Sequence, residues 1–236
     1  MKKTGSWLPF YLLTGFVWGC SFIFIKEGLE FLTPFGVAFA RCALGAVTLY
    51  AIAKIRKIAL PRDKKALFHI WVVCLLLNVF PGVFFALAET EVTSILAGII
   101  NAVTPLMTLI AILLVNRAEK VKRVQVIGLV IGFAGVLVVL AVWNGLGTNP
   151  WWAVLILFIA VALYGISYPY TRRFVMPLGI KSEAIVALQL ILASLTLLPF
   201  YLMGGIAKDE YRIAPVLSML APVSYTHLTL PTTPYV

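Results

Sequence analysis

A single arginine interrupts the uncharged run between Glu30 and Lys54: Arg41, in Phe39-Ala40-Arg41-Cys42-Ala43. A guanidinium at mid-depth in a bilayer costs at least about 2.5 kcal/mol on insertion scales, so it normally faces a bundle interior or a wet cavity. Two roles remain open for it. One is contact with an anion or carboxylate in a substrate pathway; the other is a structural arginine capped by helix carbonyls or snorkelling outward. A second cluster of chemistry lies in Trp18-Gly19-Cys20-Ser21-Phe22, followed by Lys26. It returns 146 positions later as Tyr164-Gly165-Ile166-Ser167-Tyr168, followed by Arg172. Carried on with a slip of two, the same offset pairs Arg41 with Gln189, which is polar and neutral. Trp18, Tyr164 and Tyr168 could stack on or gate a substrate, or serve as packing and interface anchors. Asn78 and Pro81, and Asn101, Thr104, Pro105 and Thr108, place polar groups and proline-freed carbonyls inside apolar stretches. Kinks of that kind line cavities or are satisfied locally as packing features.

Other chemistries find no residues. The sequence has no phosphate-binding GxxxxGK[ST], no HExxH, no nucleophile elbow and no acidic pair within an apolar run, which excludes a primary ATP-driven pump and argues against an enzyme. Cys20, Cys42 and Cys74 lie in apolar runs without histidines at ligand spacing, so neither a disulfide framework nor a metal site is expected. No cofactor is expected either. The candidate substrate-binding residues are therefore Trp18, Ser21, Arg41, Asn101, Pro105, Tyr164 and Gln189. Glu89 and Glu91 read as a solvated turn beside the membrane, with gating carboxylates as the alternative, and His69 reads as interfacial.

The elements that must hold these residues are membrane helices. Of the 236 residues 62% are hydrophobic and 12% charged, with a mean hydropathy of +1.02, against about 45–50% apolar and 25% charged in a soluble domain. A spanning helix takes about 20 apolar residues. Stretches near 7 to 25, 33 to 53, 67 to 88, 92 to 115, 124 to 143, 151 to 171 and 184 to 205 qualify, and residues 213 to 220 could begin an eighth. Asn144-Gly145-Leu146-Gly147-Thr148-Asn149-Pro150 is dense in turn formers and divides the fifth from the sixth. The first stretch reads as an uncleaved anchor rather than a signal peptide. Gly128, Gly132 and Gly135 make a small-residue face for helix packing in the bundle, or for a homodimer.

The net charge of +10 reports orientation rather than a nucleic-acid partner. With the N-terminus in the cytoplasm, the inner segments hold Lys2 and Lys3; Lys54, Arg56, Lys57, Arg62, Lys64 and Lys65; Arg117, Lys120, Lys122 and Arg123; and Arg172, Arg173 and Lys181. The outer segments hold only Lys26, Lys208 and Arg212, which satisfies the positive-inside rule. Five spans separate the two motif copies, so they run in opposite directions. The fold class expected is an all-α membrane protein, a polytopic bundle of inverted repeats whose substrate site lies at mid-membrane.

These residues resemble the EamA-type families of the drug/metabolite transporter superfamily. The resemblance rests on Trp18-Gly19-Cys20-Ser21-Phe22 with Lys26, on Pro34 and Arg41, and on the run Ser94-Ile95-Leu96-Ala97-Gly98-Ile99-Ile100-Asn101-Ala102-Val103-Thr104-Pro105-Leu106. Asn116-Arg117-Ala118-Glu119 and the glycines of the fifth span extend it. It implies ten helices in two inverted five-helix repeats, alternating access around a central cavity, and export of metabolites, amino acids or drugs across the inner membrane. On that plan residues 1–147 form the first repeat, 148–222 a truncated second repeat, and 223–236, rich in Thr and Pro, a disordered or non-native tail. The partners implied are a small-molecule substrate and the lipid bilayer. The rival reading is a membrane-embedded enzyme or assembly scaffold, which would need His, Asp or Glu clustered at one membrane face.

Overall fold

The computed structural model describes residues 7–115, 123–139 and 149–204, and these are almost entirely helical, with no strand among them. We number the helices α1 (Trp7–Gly28), α2 (Pro34–Ile55), α3 (Lys64–Ala88), α4 (Ser94–Leu114), α5 (Arg123–Val139), α6 (Trp151–Leu178) and α7 (Ser182–Leu202). Each begins within a few residues of an apolar stretch picked out by the sequence. Five of them, α2, α3, α4, α6 and α7, are long and apolar enough to cross a membrane, while Val124–Val138 within α5 is a shorter apolar helix. The segments 116–122, 140–148 and 205–236 lie outside the described residues. They include Asn116 to Glu119, most of the turn before Pro150, the start of an eighth span and the tail.

Local chemistry explains where the helices begin and stop. Thr33 caps α2 by accepting from the Gly36 N–H at 3.3 Å, with Pro34 at the first helical position, where its missing donor is harmless. Asp63 does the same for α3 through Ala66 N–H at 3.0 Å, and Thr93 for α4 through Leu96 N–H at 3.3 Å. At the other end of α2 the chain turns through Lys57 at φ 53°, and Ile58 N–H returns to the Ala53 carbonyl at 2.8 Å. This is the Schellman closure, here made by a lysine in the left-handed region that glycine more often fills.

The helices pack as two compact units. In the first, comprising α1, α2 and α7, the buried side of α2 runs through Ala38, Cys42, Gly45, Ala46, Leu49 and Ala53, and α7 contributes Ala184, Ala187 and Ala193. Small residues on both faces let the backbones approach, which is how helices associate where lipid is as apolar as leucine. Phe35 stacks on Phe200 at 5.5 Å, Phe39 on Tyr201 at 4.5 Å, and Thr33 Oγ1 donates to the Gly204 carbonyl at 3.0 Å. Because Gly45 faces Leu190 while Phe35 faces Phe200, the two helices are antiparallel.

The second unit, between Pro61 and Ile180, holds α3 to α6, with α6 against α3 and α4. Its tightest approach is at Gly165, where an added Cβ would lie 2.6 Å from the Met107 carbonyl carbon. Only glycine fits that crossing. By contrast, Gly128, Gly132 and Gly135 on α5 have nothing within 4 Å of such a Cβ among the described residues.

Candidate substrate-binding residues

Arg41 lies eight residues beyond the Thr33 cap, about 12 Å along α2 at 1.5 Å per residue. Its Nη2 donates to Ser21 Oγ on α1 at 2.8 Å. The structure thus brings together two residues, 20 apart in sequence, that the sequence singled out for separate reasons. Ser21 is buried. A hydroxyl is a neutral acceptor, so this bond orients the guanidinium without neutralising its charge. Gln189, also buried, is on α7, and the antiparallel register sets it near the level of Ala46, five residues along α2 from Arg41. Trp18 is on the same helix as Ser21 and is 46% exposed.

The other candidates lie in the second unit. α4 is broken after Asn101, where Ala102 and Val103 make a turn before the helix resumes at Thr104. Pro105 has no N–H for the Asn101 carbonyl one turn back. The Thr104 hydroxyl supplies the missing donor, reaching the Asn101 carbonyl at 2.7 Å and Asn101 Oδ1 at 3.3 Å. Asn101 is half-buried, and Pro105 is exposed. Tyr164 is half-buried on α6 and stacks on Phe85 of α3 at 6.0 Å. Ser167, the second motif copy's serine, is buried and donates to the Tyr164 carbonyl at 2.7 Å. The two copies thus use one position differently: Ser21 bridges helices, while Ser167 closes a bond within its own.

Two arrangements were not visible in the sequence. Glu89, expected in a solvated turn, is fully buried at the end of α3, where its Oε2 accepts from Ser94 Oγ at 2.8 Å in the first turn of α4. The short turn Thr90 to Thr93 folds the carboxylate against the start of the next helix, a tertiary effect that hydropathy does not encode. His69, read as interfacial, shares a hydrogen bond of 2.9 Å through Nδ1 with Tyr170 Oη and stacks on Phe174 at 5.1 Å. The aromatic pair Tyr170 and Phe174, one helical turn apart, was the available signal.

Five apolar helices long enough to span a bilayer, one carrying Arg41 and another broken before Pro105, define a polytopic helical membrane protein. A profile of the EamA-like transporter family matches residues 5–141, more than half of the chain, and the chain belongs to that family. It is 28% identical over 212 residues to the Escherichia coli K12 protein called uncharacterized inner membrane transporter YedA, covering 90% of this chain and 66% of that one. It is 28% identical over 165 residues to protein PagO of Salmonella typhimurium, covering 69% and 54%. To an uncharacterized transporter of Archaeoglobus fulgidus it is 29% identical over 139 residues, covering 59% and 48%. The chain therefore spans two thirds or less of the length of these relatives.

Proposed function

We propose that this chain belongs to a secondary transporter that exports a small metabolite, such as an amino acid or a drug-like compound, across the inner membrane by alternating access. The observation that carries the reading is the charged Arg41, held by Ser21 at 2.8 Å, midway along a helix apolar enough to span a bilayer. A guanidinium so placed selects for an anionic group, which it binds through a planar fork that a lysine cannot reproduce. The similarity to a protein named as an inner membrane transporter supports the location, and family membership speaks for transport rather than catalysis.

The inverted-repeat plan is part of the same proposal, with residues 1–147 as the first copy and 148–222 as the second. Its support is that α2 and α7, the helices carrying Arg41 and Gln189, pack antiparallel, as equivalent helices of two inverted copies would. In this reading Trp18, Ser21, Arg41, Asn101, Pro105, Tyr164 and Gln189 are the residues that contact the substrate. The test is an efflux screen of cells expressing the full-length gene, preloaded with each proteinogenic amino acid or challenged with toxic amino-acid analogues. Export or resistance above the empty-vector control for a carboxylate-bearing compound is expected. A gene product abundant in the membrane that exports none of the panel contradicts the proposal.

A further inference from the structure

The middle of α3 leaves α-helical geometry over Leu75–Val79, a π-turn in which the Phe80 N–H reaches back to the Leu75 carbonyl. Single π-turns inside α-helices are frequent at functional sites. Pro81 follows directly and has no N–H to give the preceding turn. Within the turn stands Asn78, half-buried, with Nδ2 enclosed and without a hydrogen-bond partner among the described residues. An enclosed amide donor left unpaired loses the water it would otherwise bind and gains nothing in return. Leucines at positions 75, 76 and 77 show that the segment accommodates apolar side chains. The residues beside it along α3, Leu75, Leu77, Val79 and Phe80, are apolar and offer a bound water no side-chain partner.

We propose that Asn78 is a substrate-contact residue whose Nδ2 donates to an acceptor oxygen, a carbonyl or a carboxylate, of the transported molecule. The π-turn sets the position of Asn78 along α3, and Pro81, lacking a donor, leaves the helix free to keep that turn. Among the described residues no group satisfies this donor, and it is left for the substrate. This inference rests on the transporter reading and narrows it: the cargo carries an acceptor oxygen, so an amino acid fits and a hydrocarbon-rich cation without acceptors does not.

The test compares wild type with Asn78→Leu, close in shape and without the amide, in two measurements: melting temperature of the purified protein in detergent, and efflux of radiolabelled amino acids from cells at matched membrane abundance. The expected pattern is a melting temperature raised by a few degrees together with a loss of efflux of about tenfold or more, since the variant sheds an unpaired donor and its contact with cargo. A lowered melting temperature, or a variant that does not fold, shows the amide to be structural and overturns the inference. So does efflux equal to wild type, and in that case the transporter reading stands. Absence of amino-acid efflux by wild type itself overturns the amino-acid form of the transporter reading, and this inference with it.

Discussion

Ser21 and Ser167 hold the same place in two copies of one motif, yet only Ser21 touches a charged group. Removing its hydroxyl takes an acceptor from the Arg41 guanidinium, and a hydrogen bond to a charged group contributes about 1.5–3 kcal/mol. Ser21→Ala is therefore expected to lower substrate flux about tenfold or more at matched membrane abundance. Ser167→Ala, which removes only a bond to the helix's own carbonyl at 2.7 Å, should leave flux near wild type. Equal losses in both variants would show that the Arg41 contact has no special role. Arg41 was legible in the sequence because a lone charge in an apolar run is costly wherever it points. Its partner was not, because nothing in the spacing of residues 21 and 41 says which side of α1 meets α2. Glu89 was misjudged for the same kind of reason: hydropathy places a carboxylate at a helix end, and only the fold of the next turn decides whether it is covered.

At the scale of elements, the glycines of the two motif copies should respond to substitution with opposite sign. Gly165→Ala puts a methyl 2.6 Å from the Met107 backbone, which α6 can accommodate only by moving away from α4. Overpacking of this kind costs about 1–3 kcal/mol. Gly19→Ala meets nothing within 4 Å among the described residues and replaces a poor helix former with the best one, a gain of up to about 1 kcal/mol. Melting temperatures of the purified variants check both. A Gly165→Ala protein as stable as wild type would mean that the α4–α6 crossing is looser than described. The helices themselves were well marked by runs of apolar residues bounded by Thr33, Asp63, Thr93 and Pro150, all recognisable caps or stops. The break after Asn101 was signalled by Pro105. The π-turn of α3 was not, since Asn78 and Pro81 announce a disturbance in the helix without saying which way it is resolved.

For the molecule as a whole, the distribution of basic residues makes a topological prediction that the packing does not decide. In a background without Cys20, Cys42 and Cys74, a cysteine at Lys57 should resist a membrane-impermeant thiol reagent in intact cells and react once the membrane is opened, whereas one at Glu30 should react in both. Labelling of position 57 from outside would invert the orientation proposed here. The account turns most of all on Arg41 as the charge that receives the substrate's anionic group. Its most direct test is efflux of a substrate found in the amino-acid screen by Arg41→Ala and Arg41→Lys proteins, each present in the membrane at wild-type level. Loss of efflux in Arg41→Ala with partial activity in Arg41→Lys is the predicted result, because lysine keeps the charge and loses the fork. Wild-type efflux by Arg41→Ala would contradict the account and leave Arg41 a structural residue.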